Sequence, residues 1–192
     1  MYTPENWFWL ADDGRLYSSA VQGLVAEDAP AYLAWREGHL PTPWPRDDVG
    51  AQTDEALQEV LGRYGLHVGI DSLKAALKAS VDAAAEAERM KYITPGAGQA
   101  MTYQQKASEA VMLEDDPAPD PADYPLLSAE VGITAPTLAE VGAVVRAAHG
   151  AWILLGAAIE AARLGAKKAI DEAEDQATAR AAAEVLWPSP PG

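Results

Sequence analysis

Residues 138–173 read LAEVGAVVRAAHGAWILLGAAIEAARLGAKKAIDEA, and this stretch decides the fold class. Leu138, Val141, Val145, Ala148, Trp152, Leu155, Ile159, Ala162, Ala166, Ala169 and Ala173 follow one another at alternating spacings of three and four. Side chains so spaced share one stripe of an α-helix, so the stretch carries an apolar heptad seam. Thr134, with Pro136 just after it, opens this helix, which is expected to run to about Leu186. Such a helix is roughly 75 Å long at 1.5 Å per residue, longer than most globular cores need. The seam has two possible uses. One is an intramolecular antiparallel bundle. The other is packing between chains, in a homo-oligomer or on a larger fibre. Gly142, Gly150, Gly156 and Gly165 weaken the helix but permit close backbone approach, and they make a kink possible. The best apolar window, Gly150 to Ala162, is too short for a bilayer span of about 20 residues. A soluble intracellular product with no membrane association is expected.

Upstream of this helix the chain also reads as alanine-rich helix. Asp71 caps a helix from Ser72 to about Tyr92, with Leu73, Leu77, Val81 and Ala84 on one stripe. Thr94-Pro95-Gly96-Ala97-Gly98 breaks it, and a second helix runs from about Gln99 to Leu113. An acidic, proline-rich loop follows over residues 114–121. Asp123 and Pro125 then start a short helix that ends at Gly132.

The N-terminal part reads differently. Trp7-Phe8-Trp9-Leu10 is strand-like, Asp13-Gly14 signals a two-residue hairpin turn, and Arg15–Ser19 is the return strand. Asp28 caps a helix over Ala29–Glu37, with Pro30 in its first turn and Gly38 ending it. Tyr32 and Trp35 share a face of that helix and can cover the hairpin. Pro41-Thr42-Pro43-Trp44-Pro45 is extended, because proline fixes φ and restricts its predecessor. Thr53 caps a further helix from Asp54 to about Tyr64, whose apolar positions are Leu57, Val60, Leu61 and Tyr64.

Composition supports this division. Nine of the fourteen aromatic residues lie in the first 64 positions, whereas eight alanines precede Ser72 and 32 follow it. Aromatics bury much area per residue, and alanine favours close-packed helix. The expectation is therefore a mainly α protein. A small aromatic-rich module with a β-hairpin and short helices occupies residues 1–68. An alanine-rich long-helix bundle or coiled-coil-like module occupies 69–192.

The 192 residues carry 29 acidic and 14 basic side chains, a formal charge of −15. A nucleic-acid duplex repels that charge, so no nucleic-acid partner is expected. Apolar residues make up 49% of the chain, which excludes wholesale disorder. The absence of cysteine excludes disulfides, thiolate metal sites and a cysteine nucleophile. There is no P-loop, no HExxH pair and no GxSxG elbow. Gly96-Ala97-Gly98 lacks the third glycine and the preceding strand of a dinucleotide fingerprint. His39, His67 and His149 have no ligand-like spacing. Glu114, Asp115, Asp116, Asp120 and Asp123 are interrupted by prolines and lack the register of a calcium loop. Lys74, Lys78, Lys167 and Lys168 read as helix-face charges, with Asp82 and Asp171 as local partners. No catalytic, cofactor-binding or metal-binding residue is nominated, and an enzyme is not expected. The protein-interaction candidates are Trp44, Leu138, Val141, Val145, Ala148, Trp152, Leu155 and Ile159.

Two groups of segments carry a resemblance. The first comprises residues 13–20, Ala31-Tyr32-Leu33-Ala34-Trp35, Gly38-His39-Leu40-Pro41-Thr42-Pro43-Trp44-Pro45, Gly50 and Thr53 to Leu61. The second is residues 92–106, beginning Tyr92-Ile93-Thr94-Pro95-Gly96-Ala97-Gly98-Gln99. It continues with Tyr124-Pro125-Leu126-Leu127, Glu130-Val131-Gly132-Ile133-Thr134, Trp152, Ile159-Glu160-Ala161-Ala162-Arg163 and Trp187-Pro188. Both resemble small proteins encoded near the tail-fibre genes of tailed bacteriophages and prophages. The resemblance implies a virion component, made in the host bacterial cytoplasm, that attaches, extends or caps a tail fibre. Its partners would be tail-fibre or baseplate proteins, with a homo-oligomer possible. A fibre-assembly chaperone not retained in the virion is the alternative it implies. An enzyme acting on the host envelope is a third reading, against which the missing carboxylate or nucleophile constellation weighs.

Overall fold

A computed structural model describes residues 3–189. They form two compact units. The first comprises residues 3–80 and Lys168–Ala183, and the second comprises Val81–Lys167 with residues 184–189. The composition shift near residue 68 marks the loop before a helix, whereas the division falls inside that helix. The mainly α expectation agrees with the observed elements, which are helical except for one small four-stranded sheet.

In the first unit, β1 (Phe8–Leu10), β2 (Leu16–Ser18), β3 (Gly23–Val25) and β4 (Thr42–Pro43) form a sheet of order β3-β2-β1-β4. β1 pairs antiparallel with β2 through Trp9↔Tyr17, and parallel with β4 through Trp9↔Thr42. The hairpin loop has three residues rather than two. Ala11 N–H donates to Arg15 O, and Gly14 sits at φ +87°, the left-handed position that closes such a loop. The third strand had no sequence signal, because Gly23-Leu24-Val25 is too short to alternate.

The period-two alternation of the strands sorts their side chains onto two buried faces. Phe8 and Leu16 meet Tyr32, with Trp35 packed alongside, from α1 (Pro30–Arg36). Trp9, Ala11 and Tyr17 meet Trp44, together with Leu57 and Leu61 of α2 (Asp54–Gly62). Ala29, not Asp28, precedes α1, and no side chain caps it. Pro30 at the start brings no N–H, so one donor fewer needs a cap. Thr53 caps α2 as expected, its side chain accepting from Ala56 N–H.

α3 (Ile70–Arg89) begins two residues earlier than expected and takes Asp71 into its first turn. Within the second unit, α4 (Ala97–Glu114), α5 (Pro125–Ser128) and much of α6 (Leu138–Glu172) surround a core of Ala110, Leu113, Tyr124, Leu127 and Val141. Gly142 is required at one point of close approach, since a Cβ there would lie 2.8 Å from Leu113 Cδ2. α6 starts later than Thr134. Thr137 and Glu140 form a reciprocal cap in which Thr137 N–H donates to Glu140 Oε2 and Glu140 N–H to Thr137 Oγ1. The helix also stops at Glu172, well short of Leu186. Asp171, Glu172 and Glu174 crowd acid at its negative end, where the helix dipole disfavours it. Asp175 then caps α7 (Gln176–Ala182), accepting from Thr178 N–H.

Candidate protein-interaction surface

The seam faces inward. Val141 is buried, and Leu138 and Val145 are half-buried against the α4–α5 core. Leu155 and Ile159 are buried against Ala85 of α3, with Trp187 packed on the same cluster. Trp152 is half-buried and lies against Gly156. The bundle reading therefore holds for these residues. Two seam positions fail. Ala148 and Ala169 are exposed, and Ile170 is buried in place of Ala169. A straight α-helix has 3.6 residues per turn, so a strict heptad stripe drifts off the contact line.

Trp44 is also not a surface anchor. It is 1% exposed, its Nε1–H donates to Thr53 O at 2.8 Å, and the Arg15 guanidinium lies 4.7 Å above its ring. The segment around it is extended as expected, but it runs beside β1, where Trp44 N–H donates to Leu10 O at 2.8 Å.

Charge fixes the α3–α6 pairing. In the second unit Asp82 accepts from Arg163 Nη1 at 2.5 Å and from Lys167 Nζ at 2.6 Å, and Glu160 accepts from Arg163 and from Arg89. In the first unit Lys78 pairs with Asp171 at 2.6 Å. For Lys78 and Lys167 the expected neighbours one turn away are thus exchanged for partners across the helix pair, whereas Lys168 keeps a neighbour on its own helix, Glu172. Hydrogen bonds from Lys167 and then Arg163 hold the Asp82 carboxyl below its usual range. Arg163, followed by Arg89, does the same for Glu160.

Several large apolar side chains remain outward on α6. Leu154 is 70% exposed, Ile153 53%, Leu164 52% and Val144 47%. An 18-residue window of α6 has a mean hydropathy of 1.4, with 17% of it buried. By length and composition alone the helix could cross a membrane, which corrects the expectation drawn from the shorter Gly150–Ala162 run. On α4, Met101, Val111 and Met112 are exposed too. A depression of about 340 Å³ lies between Val111, Met112 and Ala107 on one side and His149 on the other.

No family model, curated protein or solved structure matches the chain.

Among the described residues no buried side-chain nitrogen or oxygen lacks a hydrogen-bond partner. Trp35 is sandwiched by aromatic neighbours, with Trp7 edge-on at 4.9 Å and His39 stacked at 4.8 Å. His39 Nδ1 lies 2.9 Å from Trp35 O. His67 N–H donates to Gln22 Oε1, and burial, then Arg180, hold the imidazole below its ordinary pKa. Asp116 belongs to a pairing with Tyr124, whose hydroxyl donates to it at 2.8 Å. That bond first, then burial, pushes the tyrosine up to about 12. Among the described residues no group of three or more His, Asp or Glu side chains is placed to hold a metal ion.

The three-four spacing does not reveal the outward face, because it places the apolar residues of one stripe only. The signal was present. Ile153-Leu154-Leu155 puts three large apolar residues in a row, and no single face of a helix accommodates three consecutive positions.

Proposed function

We propose that this chain is a structural protein of a phage tail or baseplate, one that attaches, extends or caps a tail fibre by helix packing and performs no chemistry. The observation that carries the reading is the outward apolar face of α6, with Leu154 at 70% exposure, on a helix already held by its opposite side. Large apolar side chains left exposed along one long helix point to an interaction site. The tail-fibre resemblance of the two segment groups supplies the biological setting. A protein partner suits the face better than lipid does. Anionic lipid repels a chain of charge −15. Interfacial helices also carry a polar face rich in lysine and arginine. On α6 the cations Arg146, Arg163, Lys167 and Lys168 instead lie beside Glu114, Glu160, Asp82 and Glu172.

Mass spectrometry of purified virions tests this reading. The chain is expected in particles at a fixed ratio to the fibre protein. If it is absent from particles but required for infectious fibres, the structural role fails and the assembly-chaperone role replaces it.

A further inference from the structure

The outward face of α6 has a symmetry that names its occupant. The stripe along its middle runs from Ala143 through Ala147, Gly150, Leu154, Ala158 and Ala161 to Gly165, and every one of these residues is exposed. It spans about 33 Å at 1.5 Å per residue. Leu154 is the only large side chain on it. Small residues are mirrored on either side: Ala143 with Gly165, Ala147 with Ala161, Gly150 with Ala158.

The charges follow the same mirror. Glu140 and Lys168 are both exposed, and each lies fourteen residues from Leu154, since 154 − 140 and 168 − 154 are equal. Between Glu140 and Glu160 there is no carboxylate, in a chain with 29 of them. Glu140 also caps Thr137, and Lys168 sits 3.6 Å from Glu172, so both keep capacity for a further partner.

We propose that a second copy of this chain packs antiparallel on α6, with Leu154 on the two-fold axis. In that arrangement Glu140 of each copy faces Lys168 of the other, at both ends of the contact. Parallel packing would set Glu140 on Glu140 and Lys168 on Lys168, and opposed like charges are unfavourable. The mirrored small residues let the helix axes approach to about 8 Å, the short end of helix-packing distances. The two leucines fill the centre, where the axis brings each residue against its own copy. The missing carboxylates matter because two copies of net charge −15 repel one another; this face brings none of that charge together along its central 33 Å.

The inference concerns the same α6 face that carries the tail-fibre reading and names a second copy as its occupant, but its test needs no phage: a single-mass chain found in virions overturns the pairing and leaves that reading standing. Sedimentation of the full chain at tens of micromolar is expected to show twice the 20.3 kDa mass. Leu154→Glu is expected to restore the single mass with an unchanged helical spectrum, because the side chain lies outside the core. The chain has no cysteine, so introduced thiols report contacts cleanly. Oxidised Leu154→Cys should cross-link to itself. Ala147→Cys alone should not, but mixed with Ala161→Cys it should give a hetero-linked dimer, since only facing Cα atoms approach within disulfide reach. A chain of single mass at every concentration overturns the proposal, as does Ala147→Cys linking to itself. A single-mass chain that binds neutral lipid vesicles through this face overturns it in favour of a membrane.

Discussion

Glu109 is a carboxylate with 2% of its surface exposed, on the inner side of α4. Its Oε2 accepts from the backbone N–H groups of Leu126 and Leu127, at 3.0 and 3.1 Å. Those donors open α5, a single helical turn that begins at Pro125 and has no side-chain cap of its own. Glu109 therefore does from another helix what a capping residue does locally. Replacing it with alanine strands both donors, and the expected loss is about 2–4 kcal/mol of unfolding free energy. Glu109→Gln keeps an acceptor oxygen, and its loss should be about 1 kcal/mol. Urea denaturation checks both; equal losses would show that the carbonyl-type oxygen is not what matters. Nothing in local spacing marks Glu109, because its partners are seventeen and eighteen positions away. Short-range caps were legible in part. Thr53 was readable from its position before an acidic first turn. The Thr137–Glu140 pair fits the S/T-x-x-E pattern, but Thr134 and Pro136 drew the helix start three residues too early. Trp44 was misplaced for a different reason: exposure is a tertiary property, and a Pro-Trp-Pro segment looks alike on a surface or under a helix.

At the scale of the element, α6 shows what a repeat pattern carries and what it omits. Its existence and its role in a bundle were legible from the three-four spacing. Its end was not, because propensity favours continuing through an alanine-rich segment. The clustered acids at residues 171–175 and the Asp175 cap on Thr178 decide otherwise. Which of two adjacent leucines is inside also depended on the neighbours. Leu155 is 7% exposed against Ala85 and Ile159, while Leu154 is 70% exposed. Their substitutions should differ sharply. Leu155→Asp or Ile159→Asp buries an unpaired carboxylate and should cost more than about 3 kcal/mol, enough to lose the helix pair. A polar residue at Leu154 should change the stability of the single chain by less than about 0.5 kcal/mol. Thermal unfolding followed by circular dichroism, at concentrations low enough to keep the chain single, separates the two. Similar losses at 154 and 155 would mean that α6 is rotated from the position described.

At the scale of the whole molecule, the two units should respond to acid in different pH ranges. In the second unit Asp82 and Glu160 hold carboxyl pKa values below their unfolded ones of 3.8 and 4.5. A depressed carboxyl contributes stability fully above its unfolded pKa and loses it as pH falls through the folded value. The helix pair joined by Arg163 and Lys167 should therefore be indifferent to pH from about 8 to 5 and weaken below about 4. In the first unit His67 is held below the ordinary 6.5 by burial and then by Arg180. The unfolded chain protonates there first, so stability is lost as pH falls from about 6.5 towards the folded pKa. Two steps should appear: an early one sensed mainly by tryptophan fluorescence, since four of the six tryptophans lie in the first unit, and a late one sensed by helix content. Protonating carboxylates also relieves the repulsion of a chain at −15, which works in the opposite direction. Asp82→Asn isolates the pair from that background. It should flatten the late step and leave the early one in place, whereas His67→Gln should remove only the early one. A single transition that both probes report together, unmoved by either substitution, would show that these ionisations do not govern the stability of their units.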